Sequence, residues 1–213
     1  MAISKVNFNS LNLTPTASKT VVFNSSNNGI EAGDVGGALV LISEQTASSS
    51  AIIDFTSGID STYKEYIFKF IDIHPATQSG FTVNFRDGGS DFDATKTTTC
   101  FNAQHNEADS STNLGYESSV DLAQSTSDLI LDQGGVGTDN DACLVGTLHL
   151  FEPASTTFVK HFISTTQHYY ASSWSMNTFV AGYCNTTTAI DGVRFKFASG
   201  NIDSGTIKMY GVT

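Results

Sequence analysis

Basic charge is scarce in this chain: of 213 residues 10 are Lys or Arg, against 21 Asp or Glu, for a net charge of −11. A phosphate backbone is gripped by clustered Lys and Arg, so the imbalance argues against nucleic acid as a partner. Long apolar runs are missing too. No stretch approaches 18 apolar residues, which excludes a transmembrane helix and argues against membrane insertion. The opening residues, Met1 to Leu13, lack the unbroken apolar core of a secretory signal. Cysteine is limited to Cys100, Cys143 and Cys184, odd in number and widely spaced. That spacing reads as free thiols made in a reducing cytoplasm.

Catalytic signatures are equally sparse. There is no Gly-x-Ser-x-Gly elbow, and no cysteine sits in an activating context. Gly134-Gly-Val-Gly137 is not a phosphate cradle, because no Lys follows at the required position. The expectation is a protein without catalytic residues, cofactor or resident metal.

What the chain has in abundance is Ser and Thr, 52 residues, set between short runs that alternate apolar with polar. Alternation of period two, bounded by Gly, Asn, Asp and Ser, means strands joined by tight turns. Ten segments carry it: 38–44, 51–55, 63–73, 81–85, 97–102, 144–151, 158–164, 178–183, 193–198 and 206–212. In the last, Ile207, Met209 and Gly211 fall on one side. The segment 63–73, YKEYIFKFIDI, is apolar on both faces at its centre, as a doubly covered strand should be. A short helical turn is expected near Ser119–Ser127. The fold class that follows is all-β, an antiparallel β-sandwich of jelly-roll type with about ten strands. Residues 1–34 are poor in core residues and read as an N-terminal arm ahead of a sandwich over 35–213. The polar interval Gln104–Asp141 breaks the strand rhythm, and loops of that length carry function or cover an edge.

Three groups of residues are candidates for chemistry. Leu144–Phe151 and Phe158–Ser164 should form a hairpin around Pro153, with His161 facing Thr147 and His149 diagonal to it on the same face. Two imidazoles fall short of a metal site, which needs a third or fourth ligand. Asp87, Asp91 and Asp93 could offer oxygens to calcium, but Asp and Gly at these positions also suit a hairpin turn. Tyr169, Tyr170 and Trp174 are expected in a polar, Ser-rich loop, where aromatic faces beside hydroxyls suit stacking on sugar rings or packing in a protein interface. The competing reading is that they cover the end of the sandwich.

Three stretches together carry a resemblance: IDFTSGIDSTYKEYIFKFIDIHPAT (Ile53–Thr77), FRDGGSDFDAT (Phe85–Thr95) and the closing SGNIDSGTIKMYGV. In combination they resemble small virion-associated proteins of tailed bacteriophages, of the marine and cyanobacterial type. The resemblance implies a virion-surface β-sandwich made in the bacterial host cytoplasm: a fibre or appendage protein, or a capsid decoration protein. By the same analogy it implies a homotrimer attached to other virion proteins, capsid or tail, through its N-terminal arm. A host surface glycan is the implied distal partner. A shell-stabilising cement protein and a polysaccharide-degrading virion enzyme are the alternatives.

Overall fold

The computed structural model describes residues 19–23, 26, 30–34, 38–171 and 173–213. The opening Met1–Leu13, and with it most of the expected N-terminal arm, lies outside the described residues. The chain divides into two units, 1–38 and 39–213. In the first, β1 (Lys19–Phe23) and β2 (Ile30–Asp34) pair antiparallel, from Lys19 opposite Asp34 to Phe23 opposite Ile30.

The second unit is an antiparallel sandwich. Its larger sheet holds β3 (Leu39–Ser50), β5 (Glu65–Pro75), β7 (Lys96–Asn106), β8 (Thr112–Tyr116), β10 (Leu144–Phe151), β11 (Lys160–Tyr170), β12 (Trp174–Cys184) and β14 (Ile202–Val212), in the order β3-β14-β5-β10-β11-β12-β7-β8. The smaller sheet holds β4 (Ile53–Phe55), β6 (Phe81–Arg86), β9 (Leu129–Ile130) and β13 (Gly192–Phe197), in the order β4-β13-β6-β9. All ten expected segments fall on strands. Four more appear beyond them: β1, β2, β8 and β9.

Phenylalanine rings join the two sheets. Phe195 of the small sheet meets Phe68 and Phe70 of the large one at centroid distances of 5.4 and 5.2 Å, and Phe81 meets Phe70 at 5.2 Å. Phe55 lies 5.3 Å from Phe68. Edge-on and tilted rings at these distances are the preferred aromatic arrangements. In β14, Ile207 and Met209 are wholly buried, as their alternation predicts. Gly211 is buried as well, and a β-carbon there would strike the Tyr63 ring, so only glycine fits.

Two local expectations need correction. Residues 119–127 form no helix. After a single turn at 118–120 the chain runs irregularly beside β7, where Ser125 and Lys96 exchange backbone hydrogen bonds of 3.0 and 2.9 Å and Thr98 Oγ1 accepts from the Leu122 N–H. Ser and Thr offer the backbone such partners outside a helix. Strand β5 is apolar on both faces in sequence, yet Ile71 is exposed and only Ile67 of the outward set is buried. Among the described residues, none covers Ile71 on the outer face of the larger sheet.

Candidate functional site

Tyr169, Tyr170 and Trp174 belong to strands rather than to a loop. They form the tip of the β11–β12 hairpin, where Tyr170 pairs with Trp174 and Tyr169 with Ser175. Adjacent positions of a strand point to opposite faces, so the rings do not make one platform. Tyr170 is on the inner side, in step with buried His168. Its ring lies 3.1 Å from where a β-carbon on Gly134 would stand, and Gly134 has φ +85°. That position needs glycine twice over, for the turn and for the ring. Tyr170 thus packs over the Gly134 turn, and its cross-strand partner Trp174 shares that face. Tyr169 alone takes the outer side, its hydroxyl 3.2 Å from Ser173 Oγ.

Tyr169 lines a cleft of about 270 Å³ together with Glu107, Asp141, Cys143, Val145, Gln167, His168 and Ser175. Gln167 Nε2 donates to Ser175 Oγ at 2.9 Å, which orients the amide across the hairpin. The Cys143 thiol is pushed up by burial and by Asp72, so it is not a poised nucleophile. An aromatic face, an amide, a hydroxyl and two carboxylates therefore share one open cleft. Sequence reading found only Tyr169 of this set. Glu107 and Asp141 come from the long interval 104–141, and no local pattern ties them to β11.

A larger groove of about 510 Å³ runs over the outer face of β7, β10, β11 and β12, lined by residues that include Thr97, Thr99, Phe151, His161, Ile163 and Tyr183. Its lining is mostly apolar and contains no carboxylate or amide. It offers less hydrogen bonding than the Tyr169 cleft.

The histidine pair is rearranged. Thr147 stands opposite Thr165, and His149 opposite Ile163. His161 stays diagonal to His149 on one face, but its cross-strand neighbour on β12 is Tyr183, with rings 6.0 Å apart. The hairpin loop runs from Glu152 to Val159, longer than the expected turn, and this shifts the register. His149 Nδ1 instead meets Glu65 Oε1 at 2.6 Å.

Asp87, Asp91 and Asp93 line the loop after β6, where Gly88 and Gly89 have φ +101° and +72° and the Ala94 N–H returns to Phe85 O at 3.1 Å. Backbone geometry accounts for this composition. Among the described residues, no three His, Cys, Asp or Glu converge as a metal site. The loop also faces buried cations. Lys160, Cys184 and Lys96 make one wholly buried row across β11, β12 and β7. Their ammonium groups donate to Thr186 O and Ala94 O at 3.0 and 2.9 Å. Burial lowers the Lys96 amine, while Cys184, Asp128, Asp93 and Asp87 act against that. The acidic loop is thus counter-charge for a buried lysine.

The most perturbed groups lie in the interior. Burial pushes the Asp132 carboxyl up to about 7, although the N–H groups of Phe81 and Gly135 bond to it. Burial holds His168 down to about 4, with the Gln133 carbonyl acting the other way. Burial also pushes Cys100 and Cys184 up to about 12. All three cysteines carry free thiols. Such shifts often mark catalytic sites, but desolvation is the largest cause of each, with nearby carboxylates adding to it at Cys100 and Cys184. No family model matches the chain, and no curated protein matches its sequence.

Proposed function

We propose that this is a non-enzymatic surface protein of a bacteriophage virion, a short fibre, appendage or capsid decoration component, whose sandwich contacts a host surface glycan through the Tyr169 cleft. The cleft is the observation that carries the reading. A sugar ring presents a C–H face to an aromatic ring and hydroxyls to carboxylates and amides. Tyr169, Gln167, Ser175, Glu107 and Asp141 supply that set around one opening. The net charge of −11 and the two carboxylates repel anionic sugars, so the ligand is a neutral or amine-bearing glycan. The three segments that resemble phage virion proteins support the setting, and in this reading residues 1–34 attach a homotrimer to the particle.

A glycan array probed with the full chain tests the contact. Binding to neutral or amine-bearing glycans, lost in Tyr169→Ala, is the expected result, and no glycan binding would remove this function. Labelled antibody on purified virions tests the setting separately, by locating the protein on capsid or tail. Particles that lose heat resistance without the protein, and bind no glycan through it, would favour the cement alternative.

A further inference from the structure

The outer face of the smaller sheet carries a second constellation, independent of the cleft. Arg194 stands opposite Asn84 and Lys196 opposite Thr82, so Lys196 and Asn84 are diagonal neighbours on one face. Diagonal β-carbons lie about 7–8 Å apart or less, within reach of a lysine stem. Val83 opposite Leu129 brings Asp128 alongside Asn84 on the other flank.

Asp128 bridges the other two side chains. Its Oδ2 meets Lys196 Nζ at 2.8 Å, and its Oδ1 accepts from Asn84 Nδ2 at 2.9 Å. Asn84 is 4% exposed, and its amide is oriented by two further bonds. Nδ2 donates to Thr126 O at 3.1 Å, and Oδ1 accepts the Phe85 N–H at 2.9 Å. The neighbouring Arg194 is held by Asp54 through two bonds of 2.8 and 2.7 Å, which leaves Asp128 to the lysine.

We infer that Lys196 and Asn84 are the two ends of a self-generated amide cross-link between β13 and β6, with Asp128 as the proton carrier. Asp128 already holds both the amine and the amide, and the Phe85 N–H already meets Oδ1. Asp128 takes a proton from the Lys196 ammonium and frees the nitrogen lone pair. Nζ attacks Asn84 Cγ, and the charge that develops on Oδ1 is held by the Phe85 N–H. The carboxyl then delivers the proton to Nδ2. The Cγ–Nδ2 bond breaks and ammonia leaves. The freed Asp128 carboxylate takes the second proton from Nζ and passes it to the ammonia, which departs as ammonium, and the neutral Nζ–Cγ amide remains. No oxidant or co-reactant enters the balance. Burial works to raise the Asp128 carboxyl, but hydrogen bonds from Lys196 and Asn84 keep it below its ordinary value, so it begins as the ionised base. A base held this low makes the step slow, and it occurs once in the life of a chain.

The test is intact mass spectrometry of the full chain after prolonged incubation at pH 8. Most of the protein should be lighter than its sequence by one ammonia, and a protease digest should join the peptides bearing Lys196 and Asn84. Lys196→Arg keeps the ion pair but removes the primary amine, and Asp128→Ala removes the carrier. Both should retain full mass, with near-ultraviolet circular dichroism confirming that they fold. Full mass in the folded wild type would overturn the inference. So would ammonia loss confined to one peptide, the mark of a cyclised asparagine, or equal loss in Lys196→Arg.

Discussion

Two ends of a single row across the larger sheet contrast sharply. Phe70 on β5 leads through Gly146, Thr166 and Thr178 to Asn102 on β7, all on the inner face. At the β5 end the row meets another sheet, through Phe81 and Phe195. At the β7 end it meets a loop. Thr166 Oγ1 donates to Leu131 O at 2.6 Å, and Asn102 Nδ2 reaches Gln133 Oε1 at 3.5 Å. A strand of a sheet has its backbone groups satisfied by its neighbours and presents only side chains to the opposing layer. A loop does not, so its covering of the core needs polar partners from the surface beneath it. The core is aromatic under the sheet and polar under the loop for that reason.

The largest effect that would expose this contrast is at Phe195, which touches Phe55, Phe68, Phe70 and Phe81. Phe195→Ala should cost about 3–5 kcal/mol in urea denaturation, as a large ring lost from a closed apolar core does.

The polar end should answer to pH instead, through two groups of opposite sign. Asp132 is wholly buried, and its pKa rises on folding from an ordinary 3.8 to about 7. Its stabilising effect is complete below pH about 4 and is lost as pH rises through 7, about 4 kcal/mol in all. His168 falls from 6.5 to about 4. Its effect is present above pH about 6.5 and is lost as pH falls through 4, about 3 kcal/mol. Between pH 4 and 6.5 the two slopes oppose each other. Asp132→Asn should make stability rise with pH across that window, and at pH 8 should exceed the wild type. His168→Gln should make stability fall across the same window. Denaturation at a series of pH values reads both, and parallel profiles for the two variants would contradict the assignment.

Thr166→Val should cost about 1–3 kcal/mol, because it leaves the Leu131 carbonyl buried without its donor. Thr178→Val should be the smallest change, within about 1 kcal/mol. The Thr178 hydroxyl is buried with no hydrogen-bond partner among the described residues, so its removal breaks no bond with them. A larger loss at Thr178 than at Thr166 would reverse the view that the loop is what the polar residues serve.

Strands with apolar inner positions were legible in sequence, as β14 shows with Ile207 and Met209. Legibility failed where the inner face turns polar. In β11 the inward set continues as Ser164, Thr166 and His168, all buried. Alternation between polar types gives no period-two signal, so the sequence pattern ends at residue 164 and the aromatics beyond it read as a loop. Strands β8 and β9 were hidden in the interval 104–141 because each is short and lies at a sheet edge. For the cleft, Tyr169 was visible as an aromatic among serines, whereas Glu107 and Asp141 are ordinary acidic residues until the fold places them beside it.

The sequence by itself determined the all-β class, the positions of the main strands and the acidic surface, because these follow from local alternation and composition. Only the tertiary structure decided that Tyr169 and Tyr170 part to opposite faces, that an acidic loop offsets buried Lys96, and that Asp128 joins Asn84 to Lys196. Each of these depends on which distant strands pair and in what register. Register is set by long-range packing, and a slip of one residue would send every one of those side chains to the other face.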